Sequence, residues 1–257
     1  MQLELLKKNL VEMLLWFHSI CEENHLTYYM LGGTMLGAVR HGGFIPWDDD
    51  IDIGMPREDY NRLEQLLKEN TLQTRYILET PDTPEKDFYY PFSKLYDTAT
   101  TLIENTRYKI KRGIYLDIFP LDGIGNSMEE SRRNYAHIQR IHQLLLLKVA
   151  GIRKGRSKIK NLGVALFRII PINAKRILRK LILCCSKRDY YECAYVGNLV
   201  GAWGSKEIVP REVMGKPTLY KFESIEAYGV EKPDAYLTSL YGDWRSEEHT
   251  SELQSLY

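Results

Sequence analysis

The chain has 257 residues, 44% hydrophobic and 27% charged, enough apolar material for one large domain or two small ones. These figures exclude intrinsic disorder, collagen-like repeats and a disulfide-rich scaffold, and four cysteines point to a reducing compartment. The net charge of +1 hides an asymmetry: residues 140–188 hold 14 Lys or Arg and no Asp or Glu, leaving −13 for the rest, which argues against a uniformly basic nucleic-acid binder.

Residues 2–23 read as an amphipathic helix, with Leu3, Leu6, Leu10, Leu14 and Phe17 at helical spacing. This opening is acidic and amphipathic and lacks the basic tip and apolar run of an export signal. No window of 18 residues is free of charge, so no spanning helix is predicted. The expectation is a cytoplasmic protein, with peripheral contact at the inner face of the membrane kept open.

After Asn24, LTYYMLGG reads as a short strand stopped by Gly32 and Gly33. Thr34 to Val39 opens a helix, and residues 40–49, RHGGFIPWDD, form a loop. DIDIG at 50–54 alternates acid and isoleucine as a half-buried strand does, and a helix follows at about 57–69. Strands are expected at 76–80, 88–96 and 100–104, then a basic turn at 107–112. IYLDIFPLDG, 114–123, is expected to run as a strand into a turn at Pro120–Gly123.

Residues 128–150 are helical, 151–160 a basic linker, and 161–185 two apolar or amphipathic stretches around Pro171. The stretch 206–223 reads as strand and loop, and 236–244 as a short helix with a turn. RSEEHTSELQS at 245–255 looks like translated adapter sequence and is set aside, with the native C-terminus expected to be missing. The organisation predicted is an α+β core over 1–127, a basic helical region over 128–200, a segment completing the domain over 201–244, and a non-native tail over 245–257.

Asp50 and Asp52 lead the chemistry. Residues i and i+2 of a strand share a face, so this pair can hold one or two hard divalent ions while Ile51 and Ile53 enter the core. Asp48 joins that face if the strand starts early; Asp49 does not. Upstream, Gly32 and Gly33 let the backbone approach a phosphate, and Thr34 can cap the next helix or donate to a phosphoryl oxygen. A third carboxylate is expected from a neighbouring strand. Asp117, in the otherwise apolar IYLDIFP, is the candidate, since a charge there is costly unless paired or metal-bound. Asp122, beyond Pro120, is its competitor.

Further candidates are Arg40 as a phosphate partner, His41, Trp47 for stacking on a base or packing the loop, and Lys94 for a phosphate. Tyr90, Tyr96 and Tyr115 offer faces for a quaternary ammonium or simply pack the core. Cys184, Cys185 and Cys193 lack the spacing of a zinc site.

The run LGGTMLGAVRHGGFIPWDDDIDIGM resembles the signature of the LicD family, and IYLDIFPLDG and YLTSLYGDW look like its later blocks. The resemblance implies a nucleotidyltransferase-like mixed sheet with flanking helices and an added helical region. It implies a CDP-alcohol donor, typically CDP-choline, and a sugar hydroxyl of lipopolysaccharide, teichoic acid or a lipid-linked precursor as acceptor. Fukutin-type proteins that transfer ribitol phosphate are more distant relatives.

By the same resemblance Asp50 and Asp52 match the metal-binding pair, for Mg²⁺ or Mn²⁺, and Asp117 the third acid. Gly32, Gly33 and Thr34 match the phosphate-side turn. Transfer of a nucleotide to a small molecule or sugar, and non-catalytic binding of a glycan or nucleotide, are the rival functions. No nucleic-acid partner is expected, and the basic segment is matched to an anionic membrane surface.

Overall fold

Helix α1 (Gln2–Glu23) turns Leu10, Met13, Leu14 and Phe17 inward, all fully buried, as the leucine spacing requires. It belongs to a computed structural model that describes residues 2–69, 75–83, 89–103, 111–149 and 173–246. Most of the basic turn at 107–112, the linker, the stretch 161–172 and nearly all of the tail lie outside the described residues.

The chain continues through β1 (Tyr29–Met30), α2 (Gly32–His41), β2 (Asp52–Pro56), α3 (Arg57–Glu69), β3 (Tyr76–Glu79) and β4 (Ser93–Asp97). A short pair, β5 (Leu102–Ile103) and β6 (Lys111–Arg112), precedes the long β7 (Tyr115–Gly125). Then follow α4 (Met128–Val149), α5 (Ala174–Cys185), β8 (Tyr195–Gly197), a 3₁₀ turn (Gly204–Glu207), β9 (Ile208–Pro210) and α6 (Arg211–Met214). The hairpin β10 (Thr218–Phe222) and β11 (Ile225–Gly229) leads to α7 (Pro233–Tyr241).

One mixed sheet carries the order β1-β2-β7-β4-β3, and the α+β expectation holds. Among the described residues only β2 and β7 pair in parallel; β1, β4 and β3 join antiparallel. Ile53, Ile118, Leu95 and Leu116 send their side chains into the main core beneath. β7 changes partners midway: β4 leaves at Ile118, and β8 pairs from Asp122 onward.

Pro120 therefore does not open the expected turn. It lies within the strand, where its missing N–H faces the edge that β4 has already left. A second core joins Ile124 of β7 to Ile138, Ile141 and Leu145 of α4 and Ile177, Leu178 and Leu181 of α5. The expected strand at 50–54 is also shifted: β2 begins at Asp52, and Asp50 lies in the preceding loop. β8 and β11 have no counterpart among the predicted strands.

Candidate active site

The central feature is a row of charge across the sheet. Asp52 on β2 is the register partner of Asp117 on β7, Asp117 of Lys94 on β4, and Lys94 of Glu79 on β3. Register partners on neighbouring strands point to one face, so these side chains stand side by side. Lys94 Nζ donates to Asp117 Oδ1 in an ion pair, and Arg112 covers Glu79 at 2.9 Å.

Among the described residues Asp52 forms no ion pair. Burial raises its carboxyl well above the usual range, and repulsion from Asp50, Asp117, Glu207 and Asp48 adds to the shift.

Lys94 is buried, and its ammonium lies against aromatic faces: 3.7 Å from the Tyr115 ring centroid, 4.8 Å from Tyr90 and 5.4 Å from Phe92. The tyrosines expected to offer faces to a substrate cation thus surround a cation of the chain itself. Tyr96 is turned to Tyr115 at 5.6 Å and to the Arg112 guanidinium at 5.3 Å.

The glycine turn lies over Asp52. Gly32 opens α2 at φ +50°, a conformation that penalises any side chain, and a Cβ there would approach Asp52 Oδ2 to 3.5 Å. Gly32 N donates to Tyr236 Oη at 3.2 Å. Thr34 does not cap α2. Leu31 is the N-cap, without a side-chain cap, and Thr34 Oγ1 accepts from Asp52 N at 2.9 Å, fastening α2 to the first residue of β2. Thr34 is buried; Gly33 is partly exposed.

Residues 42–51 form the loop that delivers the other acids. Asp50 is exposed and Asp48 half-buried. Burial, then Asp50 and Asp49, push the Asp48 carboxyl up to about 7, against the pull of Lys7. Trp47 is 46% exposed beside them. Arg40 donates Nη1 to Trp244 O at 3.0 Å and Nε to His41 Nε2 at 3.0 Å, so this pair braces the C-terminal YGDW block. Asp122 is not a rival of Asp117. Arg57 binds it through two hydrogen bonds of 2.8 and 2.7 Å, a buried pair joining α3 to the far half of β7.

One acid of the neighbourhood was not singled out in the sequence. Glu207 ends the 3₁₀ turn, 7% exposed, its Oε1 accepting from Trp203 N at 2.9 Å. Burial pushes its carboxyl up to about 7. Trp203 packs edge-on against Tyr241 at 4.8 Å, and Tyr241 faces Gly32 and Asp52. In the sequence Glu207 is one glutamate in an unpatterned stretch; only the fold brings it near Asp52.

Among the described residues no three acid, His or Cys side chains converge as a ready-made metal cage. The donor chemistry nonetheless fits a hard divalent cation. Asp50 and Asp52 offer carboxylate oxygens only, and Asp52 carries mutual repulsion that a cation relieves. Cys193 lies in the main core and Cys185 in the second, apart from these acids.

Residues 25–144 match the family described as LicD/FKTN/FKRP, nucleotidyltransferase domain. The lipopolysaccharide cholinephosphotransferase LicD of Haemophilus influenzae is 28% identical over 234 residues, covering 89% of this chain and 86% of that protein. Ribitol 5-phosphate transferase FKRP, of human and of mouse, is 47% identical over 47 residues, which are 18% of this chain and 10% of FKRP.

Proposed function

We propose that the chain, whose residues 25–144 match the LicD family, transfers a phosphoalcohol, phosphocholine foremost, from a CDP-alcohol to a sugar hydroxyl of a cell-surface glycan. The observation that supports this most is the row Asp52–Asp117–Lys94 on one sheet face, roofed by the Gly32 turn.

In this reading the P–O bond to CMP breaks as the acceptor oxygen bonds to phosphorus, and the acceptor's proton passes to Asp117. Lys94 keeps the Asp117 carboxylate aimed. Asp50 and Asp52 would hold Mg²⁺ or Mn²⁺, which neutralises charge on the donor diphosphate when bound. Gly32 leaves room for that diphosphate where a side chain would intrude.

No helix of the described residues is long and apolar enough to cross a membrane. We propose that α5 touches the membrane surface instead. Its outer face carries Arg176, Arg179, Lys180 and Leu183, with Leu183 71% exposed, over a buried face of Ile177, Leu178 and Leu181. Cations above an exposed leucine suit anionic headgroups.

The test is incubation of the purified protein with Mg²⁺, a lipopolysaccharide acceptor and a panel of CDP-alcohols, with NTPs in parallel. CMP released from a CDP-alcohol only when acceptor is present supports the proposal. Turnover of NTPs alone would favour nucleotide transfer, and binding without turnover a non-catalytic protein.

A further inference from the structure

The loop that carries Trp47 to Asp50 is held at two points by parts of the chain distant in sequence. From α1, Lys7 Nζ donates to Ile45 O at 3.0 Å and to Pro46 O at 2.9 Å. Ile45 O also accepts from Asp48 N at 3.0 Å, so Lys7 braces the turn that aims the first acid. From the other side comes the tip of the β10–β11 hairpin. Glu223 N donates to Gly42 O at 2.8 Å, and Glu223 Oε1 accepts from Phe44 N at 2.9 Å. Phe44 then packs edge-on against Phe222 at 4.9 Å and lies 5.1 Å from Lys7 Nζ. A Cβ at Gly43 would come within 2.2 Å of Glu223 Oε1 and push that carboxylate aside.

The backbone of Glu223 is the telling feature. The hairpin closes through two residues, 223 and 224, and Glu223 sits at φ +54°. Such turns favour Asn or Gly at positive φ, because an ordinary side chain is strained there. A glutamate is a poor choice for the turn alone. Its carboxylate is what the loop uses.

We infer that Glu223, together with Lys7, is a positioning residue for the transfer proposed above: a clamp that fixes residues 42–51 so that Asp48 and Asp50 are presented beside Asp52. The clamp lets a C-terminal hairpin govern a site built on the N-terminal half of the chain. The inference rests on the transfer reading for its catalytic consequence, but the clamp itself is read without it.

The test compares Glu223→Asn, which suits the turn and shortens the side chain out of reach of Phe44, with Glu223→Gln, which keeps an acceptor oxygen. Three quantities are measured on the full chain: melting temperature, amide exchange at Phe44 and along 42–50, and CMP release from the best CDP-alcohol. Glu223→Asn is expected to melt at or above the parent temperature while Phe44 exchanges about tenfold faster, the loss of one hydrogen bond to a charged group. Its kcat is expected to fall by about the same factor, and Glu223→Gln to recover most of both.

Parent-like exchange in Glu223→Asn would overturn the clamp. Loosened exchange with parent turnover would overturn the positioning role, as would activity lost in step with a lowered melting temperature. A parent protein that releases no CMP from any CDP-alcohol would overturn the transfer reading instead, and exchange at Phe44 would still decide the clamp.

Discussion

Asp52 and Asp117 are direct register partners across the parallel pairing of β2 with β7. Two carboxylates are thereby held on one face at neighbouring positions, one ion-paired to Lys94 and the other not. A fold selected for stability alone would avoid that juxtaposition, because like charges in a partly buried site repel strongly. Ionic repulsion kept in place by a backbone ladder is a common signature of a site built for a cation or a proton.

Replacing Asp52 by Asn separates function from stability. The folded protein holds the Asp52 proton more tightly than the unfolded chain does, so ionising this carboxyl opposes folding. Asp52→Asn removes that opposition and is expected to raise the melting temperature of the chelator-treated protein at pH 7. Transfer is expected to fall about a hundredfold or more, roughly 3 kcal/mol of transition-state stabilisation. Calorimetry and CMP release on the same preparation check both; a lowered melting temperature with intact turnover would refute the role.

Lys94 is expected to behave as the partner of a buried charge. Lys94→Met leaves Asp117 uncompensated and forfeits the contact with the Tyr115 ring, costing about 3 kcal/mol. Lys94→Met with Asp117→Asn is expected to be more stable than Lys94→Met alone, since no unpaired charge remains. Urea denaturation of the four proteins of this cycle measures the coupling, and additive losses would show that the pair does not act as a unit.

Glu207 predicts a pH dependence with a definite sign. Its carboxyl is raised from 4.5 to about 7 by burial, so its contribution is intact below about pH 4.5 and is lost as pH rises through about 7. By pH 8 the buried carboxylate costs about 3 kcal/mol relative to its protonated form. Glu207→Gln keeps an acceptor for Trp203 N and removes the titration. Its melting temperature is expected to gain on the parent's progressively between pH 5 and pH 8, with chelator present. Parallel curves would place the Glu207 titration elsewhere.

The outer face of α5 predicts salt-sensitive binding to vesicles containing anionic lipid and little binding to neutral ones. Exchanging Arg176, Arg179 and Lys180 for Gln removes three exposed charges without touching the buried Ile177, Leu178 and Leu181. Co-sedimentation at low salt is expected to drop severalfold. Binding indifferent to lipid charge would remove the membrane from the account.

Much of this architecture is legible in the residues, for physical reasons. The spacing of Leu10, Leu14 and Phe17 specifies α1, and an aspartate inside an apolar strand marks Asp117 as a residue needing a partner. That the partner is Lys94 follows from strand order and register, which depend on pairings distant in sequence. Pro120 misleads because proline is a turn residue by local preference and is tolerated in β7 only where a neighbour departs.

Thr34 misleads similarly, since its hydroxyl serves Asp52 N across the fold rather than its own helix. Glu207, Lys7 and Glu223 carry no local pattern; each acquires its role from a contact across the fold.

The mass of the acceptor product identifies the group transferred. Purified protein is incubated with CDP-choline, Mg²⁺ and lipopolysaccharide, with the Asp52→Asn variant as control. The glycan is expected to gain one phosphocholine per CMP released, and the variant to give almost none. A glycan that gains a nucleotide, or one left unchanged while the CDP-alcohol is hydrolysed in water, would contradict the account.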